Sequence, residues 1–127
     1  MIKLKTFGGF MAGNDITSVQ EGTWRSEKLE KLFVYLAMNR NRGVCIEDIS
    51  EAIWQVEEET DNPVGALKNL AYRLRKALRD ASFDEECIVS VRGGLYKWND
   101  DVEVTIDAEE FDRYINEAEL AFSRSKE

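Results

Sequence analysis

Histidine is absent from the 127 residues, and cysteine occurs only twice, at Cys45 and Cys87. The missing imidazole removes the commonest general base. Two cysteines with no CxxC spacing support neither a zinc site nor a disulfide framework, and both read as small buried apolar side chains. No apolar run approaches the roughly 20 residues that span a bilayer, and Met1-Ile2-Lys3-Leu4-Lys5-Thr6 lacks the apolar region of a signal peptide. The chain therefore reads as soluble and cytoplasmic, with no membrane partner. GxGxxG, P-loop and GxSxG patterns are missing too. With no paired-acid motif standing out from the surface acids, no catalytic residues, cofactor or metal are expected, and the chain is not read as an enzyme.

What is present is enough apolar residue for a core, 43% of the chain, and a net charge of −8 that is unevenly spread. Residues 44–62 carry seven acids and no base, and residues 99–127 carry ten acids against three bases. Between them, residues 63–79 carry Lys68, Arg73, Arg75, Lys76 and Arg79 and no acid. Screening over about 8 Å at physiological salt lets such a basic block act locally on a chain that is acidic as a whole.

Periodicity orders the elements. Ile2, Leu4 and Thr6 alternate with lysines as in a strand, Gly13-Asn14-Asp15 signals a turn, and Ile16 to Val19 reads as a returning strand. Leu29, Leu32, Phe33 and Leu36 mark a helix over 26–39 that Ser26 or Thr23 can cap and Gly43 can stop. Ile46, Ile49, Ile53 and Trp54 mark a shorter one over 46–54, followed by an acidic loop over 55–62. Asn62-Pro63 is a capping side chain followed by proline at the first helical position. The helix it opens runs to about Arg79, with Leu67, Leu70, Ala71, Leu74 and Leu78 on one face. A β-branched strand, Cys87 to Val91, meets Leu95 to Trp98 across Arg92-Gly93-Gly94, a hairpin signal. Val104 to Ile106 is a short extended piece, and Asp107 caps a last helix with Phe111, Tyr114, Ile115, Ala118, Ala121 and Phe122 along one side. Part of that stripe is expected to pack near the sheet and its far end to lack a partner. Trp24, Phe33, Tyr35, Trp54, Tyr96 and Trp98 are expected to be core or sheet-packing groups.

Three helices followed by a two-stranded hairpin is the winged variant of the helix-turn-helix plan. The predicted fold is α+β: an N-terminal antiparallel β-sheet, a three-helix core, a C-terminal hairpin wing and an extra C-terminal helix. At about 100° per residue, the face of the third helix opposite its leucines presents Asn69, Tyr72 and Lys76. Lys68, Arg75 and Arg79 flank it on one side and Arg73 on the other. Arginine and lysine neutralise phosphates or read guanine edges, asparagine pairs with adenine, and tyrosine reaches phosphates.

The run from Leu67 to Leu78, with Arg73-Leu74-Arg75-Lys76 at its centre, resembles the recognition helix of response-regulator winged helices of the OmpR/PhoB type. Thr6-Phe7-Gly8-Gly9-Phe10, Ile53-Trp54 and Gly93-Gly94-Leu95-Tyr96 resemble the SARP branch of these regulators. Asp107 to Phe111, with Ala118, resembles the beginning of that branch's bacterial transcriptional activation domain (BTAD). Cys45 stands where the family usually has a Ser or Thr cap, and Gln55 where it usually has a proline. The resemblance implies a sequence-specific DNA-binding regulator with double-stranded DNA as its partner. The expected DNA-binding residues are Lys68, Asn69, Tyr72, Arg73, Arg75, Lys76 and Arg79, and Arg92 on the wing. It implies a DNA-binding domain over 1–106 and a linker helix over 107–127 that begins a helical activation domain. RNA polymerase contact and a homodimer on DNA are further expectations. The alternative is a protein-interaction module on the same fold, its acidic surface meeting a basic partner.

Overall fold

A computed structural model describes residues 1–54, 62–83, 87–91 and 93–125. The acidic loop over 55–61 and Arg92 lie outside these residues. The element order is β1 (Ile2–Lys5), β2 (Met11–Gly13), β3 (Ser18–Gln20), α1 (Glu27–Met38), α2 (Ile46–Ile53), α3 (Pro63–Asp80), β4 (Ile88–Val91), β5 (Leu95–Trp98), β6 (Val104–Ile106) and α4 (Asp107–Ser125). Among the described residues, no helix is long and apolar enough to cross a membrane.

The N-terminal sheet has the order β3-β2-β1-β6. Its first three strands are antiparallel, as expected, but the extended piece at 104–106 joins beside β1 in parallel, pairing Ile2 with Val104 and Leu4 with Ile106. Ile2 and Leu4 bury alternate positions of β1, as the period of two requires. The returning strand begins two residues later than the pattern suggested. The Asn14 carboxamide oxygen accepts the N–H groups of both Ile16 and Thr17 at 2.9 Å, a side-chain-closed turn that leaves Ile16 78% exposed.

Two of the three core helices start at a side-chain cap. The Ser26 hydroxyl accepts from the Leu29 N–H at 3.3 Å and Asn62 Oδ1 accepts from the Gly65 N–H at 3.0 Å, with Pro63 behind the Asn62 cap. Cys45 occupies the capping position of α2, and its side chain makes no capping bond. The first helix ends at Asn39, ahead of Gly43, where the Asn39 backbone and side-chain N–H groups both donate to the Tyr35 carbonyl.

The three helices pack on one another, and α1 also packs on β5. Leu32, Phe33, Leu36, Ile49, Leu67, Leu74 and Ile88 are sealed from solvent, and burial of each such side chain stabilises by about 1.5–3 kcal/mol. The Phe33 ring lies 5.3 Å from Trp98 and 5.6 Å from Trp24 between centroids, joining α1 to the hairpin sheet and to the turn that follows β3. Phe33, Tyr96 and Trp98 are buried, and Trp24, Tyr35 and Trp54 are half-buried against them. Cys87 is buried, whereas Cys45 is only half-buried, and neither forms a disulfide.

Candidate nucleic-acid interface

Burial of one face of α3 dictates what the other presents. Leu67, Leu70, Ala71, Leu74 and Leu78 are taken up by the core. The helix therefore turns Lys68, Asn69, Tyr72, Arg73, Lys76 and Arg79 outward, all of them exposed, and the Tyr72 ring is 62% exposed. These are six of the eight residues expected at the interface, and one helix brings them together. No acid stands between Pro63 and Arg79, so the face is electropositive from Lys68 to Arg79, ahead of Asp80 at the helix end. A helix of this kind fits the major groove, which is about 12 Å wide.

The seventh residue behaves differently. Arg75 is half-buried, and its guanidinium donates to the Ile88 carbonyl oxygen at 3.5 Å, at the start of β4. It lies at the seam between α3 and the hairpin. Its wheel position, at the border of the leucine face, was the available signal for this. The eighth, Arg92, falls outside the described residues.

β4 and β5 pair antiparallel, from Ile88 opposite Trp98 to Val91 opposite Leu95. Gly93 and Gly94 have φ of 86° and 75°, the left-handed region that only glycine adopts at little cost, and they carry the chain towards β5. The hairpin is tied to the helices from its other edge. The Val44 N–H donates to the Tyr96 carbonyl at 2.7 Å, and the Tyr96 N–H donates back to Val44 at 2.9 Å. Trp98 Nε1–H donates to the Val102 carbonyl at 2.8 Å, closing the loop that returns the chain to β6. The base of the hairpin is thus fixed relative to α3.

The carboxylate of Asp107 is a second feature that motif reading missed. Its Oδ1 accepts from the Thr6 N–H at 2.8 Å and the Thr6 hydroxyl at 2.7 Å, and its Oδ2 from the Phe7 N–H at 2.9 Å. Partial burial works to raise its pKa. The bonds from Phe7, Thr6 and the Ala108 N–H together outweigh that and hold the carboxyl below the ordinary carboxylate range. This carboxylate fixes the root of α4 to the end of β1, away from the α3 face.

The family model for "Transcriptional regulatory protein, C terminal" matches residues 20–98. The chain belongs to this family, the winged-helix domains of OmpR/PhoB type, which is a family of DNA-binding domains of transcription regulators and not an enzyme class. Among solved structures it is similar to Mycobacterium tuberculosis EmbR, determined in complex with a low-affinity phosphopeptide. The identity is 22% and the TM-score 0.59, over 77% of this chain and 25% of that one. It is also similar to the C-terminal domain of the nisin resistance regulator NsrR, a lantibiotic response regulator. There the identity is 27% and the TM-score 0.54, over 76% of this chain and 97% of that one. No curated protein matches the chain.

Proposed function

We propose that this chain is a sequence-specific, DNA-binding transcription activator that inserts α3 into the major groove and lays the 87–98 hairpin against the neighbouring backbone or minor groove as a wing. The observation that carries this reading is the exposed basic face of α3, which holds no acid before Asp80. In the proposed complex Asn69 and Lys76, at the centre of that face, read base edges, asparagine suiting adenine and lysine guanine. Tyr72, Lys68, Arg73 and Arg79 hold phosphates. Arg75 meets the backbone from its position beside β4, and Arg92 does so from the wing. Residues 1–106 form the DNA-binding domain, and residues 107–127 form a linker helix that begins a helical activation domain. RNA polymerase and a second copy on adjacent half-sites are the further partners of this reading.

Selection from a pool of random duplexes tests it. An enriched motif is expected, and Asn69→Ala should cost about 1–3 kcal/mol on that motif while leaving binding to random DNA nearly unchanged. Equal losses on selected and random duplexes would refute the base-reading role of Asn69. Failure of the folded protein to enrich or bind any duplex would favour a protein-interaction module on the same fold.

A further inference from the structure

The first turn of α4 is anchored twice. Asp107 holds the end of β1, and Glu109 forms a two-pronged ion pair with Arg40, at 2.7 and 2.8 Å. Arg40 also donates to the Ala37 carbonyl at the end of α1, at 3.0 Å, so the root of α4 is bound to both the sheet and the helical core. Beyond the root the helix is bare. Every residue from Glu110 to Ala121 is exposed, including Phe111 at 53%, Tyr114 at 68% and Ile115 at 39%. The Phe7 ring, itself half exposed, meets the root end of the stripe, edge-on to Phe111 at 5.6 Å. A 19-residue helix reaches about 28 Å, so a fixed root supports a long uncovered shaft.

Phe111, Tyr114, Ile115 and Ala118 fall at i, i+3, i+4 and i+7, one continuous apolar stripe and the spacing that packs against another helix. At 100° per residue, Asp112 and Glu119 border this stripe on one side and Glu110 and Glu117 on the other. Both walls are negative. That charge pattern discriminates between occupants. A second copy laid stripe to stripe would set carboxylates against carboxylates on both walls, which like-charge repulsion penalises. DNA, a polyanion, is repelled outright. A helix with an apolar stripe between two rows of lysine or arginine satisfies the apolar centre and both walls at once.

We propose that the Phe111-Tyr114-Ile115-Ala118 stripe of α4 docks a cationic amphipathic helix of a partner protein. The proposal deepens the activator reading and rests on it only in treating α4 as the helix that opens the activation domain. The experiment uses the full chain and two labelled amphipathic helical peptides, one of leucine and lysine and one of leucine and glutamate, read by fluorescence anisotropy. The Leu/Lys peptide should bind saturably and the Leu/Glu peptide should not. Ile115→Asp should weaken binding at least about tenfold, as loss of a central apolar anchor does. Reversal of all four wall acids (Glu110→Lys, Asp112→Lys, Glu117→Lys, Glu119→Lys) should switch preference to the Leu/Glu peptide. Duplex binding, measured on the same variants, should be retained, which reports that they are folded and separates this proposal from the DNA reading. Absence of Leu/Lys binding, equal binding by Ile115→Asp, or a dimer in sedimentation that Ile115→Asp disperses would each overturn it.

Discussion

Replacing Asp107 by alanine tests whether one carboxylate joins the two ends of the domain. The side chain accepts three bonds from Thr6 and Phe7, a hundred residues away in sequence, and a fourth from Ala108 in its own helix. A hydrogen bond to a charged group contributes about 1.5–3 kcal/mol when desolvated. This carboxylate is only half-buried, however, and the N–H groups it releases can turn to water. The loss should therefore resemble that of a strong helix cap, about 2 kcal/mol in all. With a urea slope of about 1.5 kcal/mol/M, the midpoint should fall by about 1.3 M. Asp107→Asn keeps one acceptor oxygen and should lose about half as much. Acidity supplies an independent check. The folded-state pKa of Asp107 is lowered. Its contribution is therefore complete above the ordinary carboxylate value near 4, and it is lost as pH falls through the lower folded value. The gap between the native protein and Asp107→Ala should be full at neutral pH and close on acidification. An unchanged midpoint at neutral pH, or a gap that widens as acid is added, would refute the reasoning.

Phe33→Ala removes the ring that bridges Trp24 and Trp98 and should cost about 3–5 kcal/mol by urea denaturation. A cost under about 1 kcal/mol would mean that the core does not close around it. Arg40→Ala breaks an ion pair whose two side chains are 30% and 37% exposed, so thermal melts should show a loss of about 1 kcal/mol or less. Amide exchange in the first turns of α4 should nevertheless quicken, and unchanged exchange there would deny Arg40 a part in anchoring the helix.

Much of the fold was legible because its signals are local. Asn62-Pro63 and four leucines at helical spacing define α3, and Gly93-Gly94 between two β-branched or aromatic runs defines the hairpin. The elements that escaped are held by partners far away in sequence. β2 is three residues, Met11 to Gly13, ending in a glycine that reads as a turn, and it is a strand because β1 and β3 flank it. β6 was legible as a short extended piece over the same three residues, but not its parallel place beside β1. Asp107 was legible as a cap but not as a tie to Thr6, since nothing in its neighbourhood points across the chain. The basic face of α3 was readable from the wheel alone. The half-buried state of Arg75 needed the position of β4.

The central claim is that the basic face of α3 meets the phosphate backbone. Lys68, Arg73 and Arg79 are exposed and Arg75 is half-buried beside β4, and with Arg92 of the wing these cations give an expectation of four to five phosphate contacts. Each neutralised phosphate releases counterions, giving a slope of log affinity against log salt of about −3.6 to −4.5 on duplex DNA. Titrating the folded protein into a labelled duplex at a series of salt concentrations measures that slope directly. A value in this range, falling by about one for Arg73→Ala, is the predicted result. A slope near zero, or no binding to any duplex even at low salt, would contradict it.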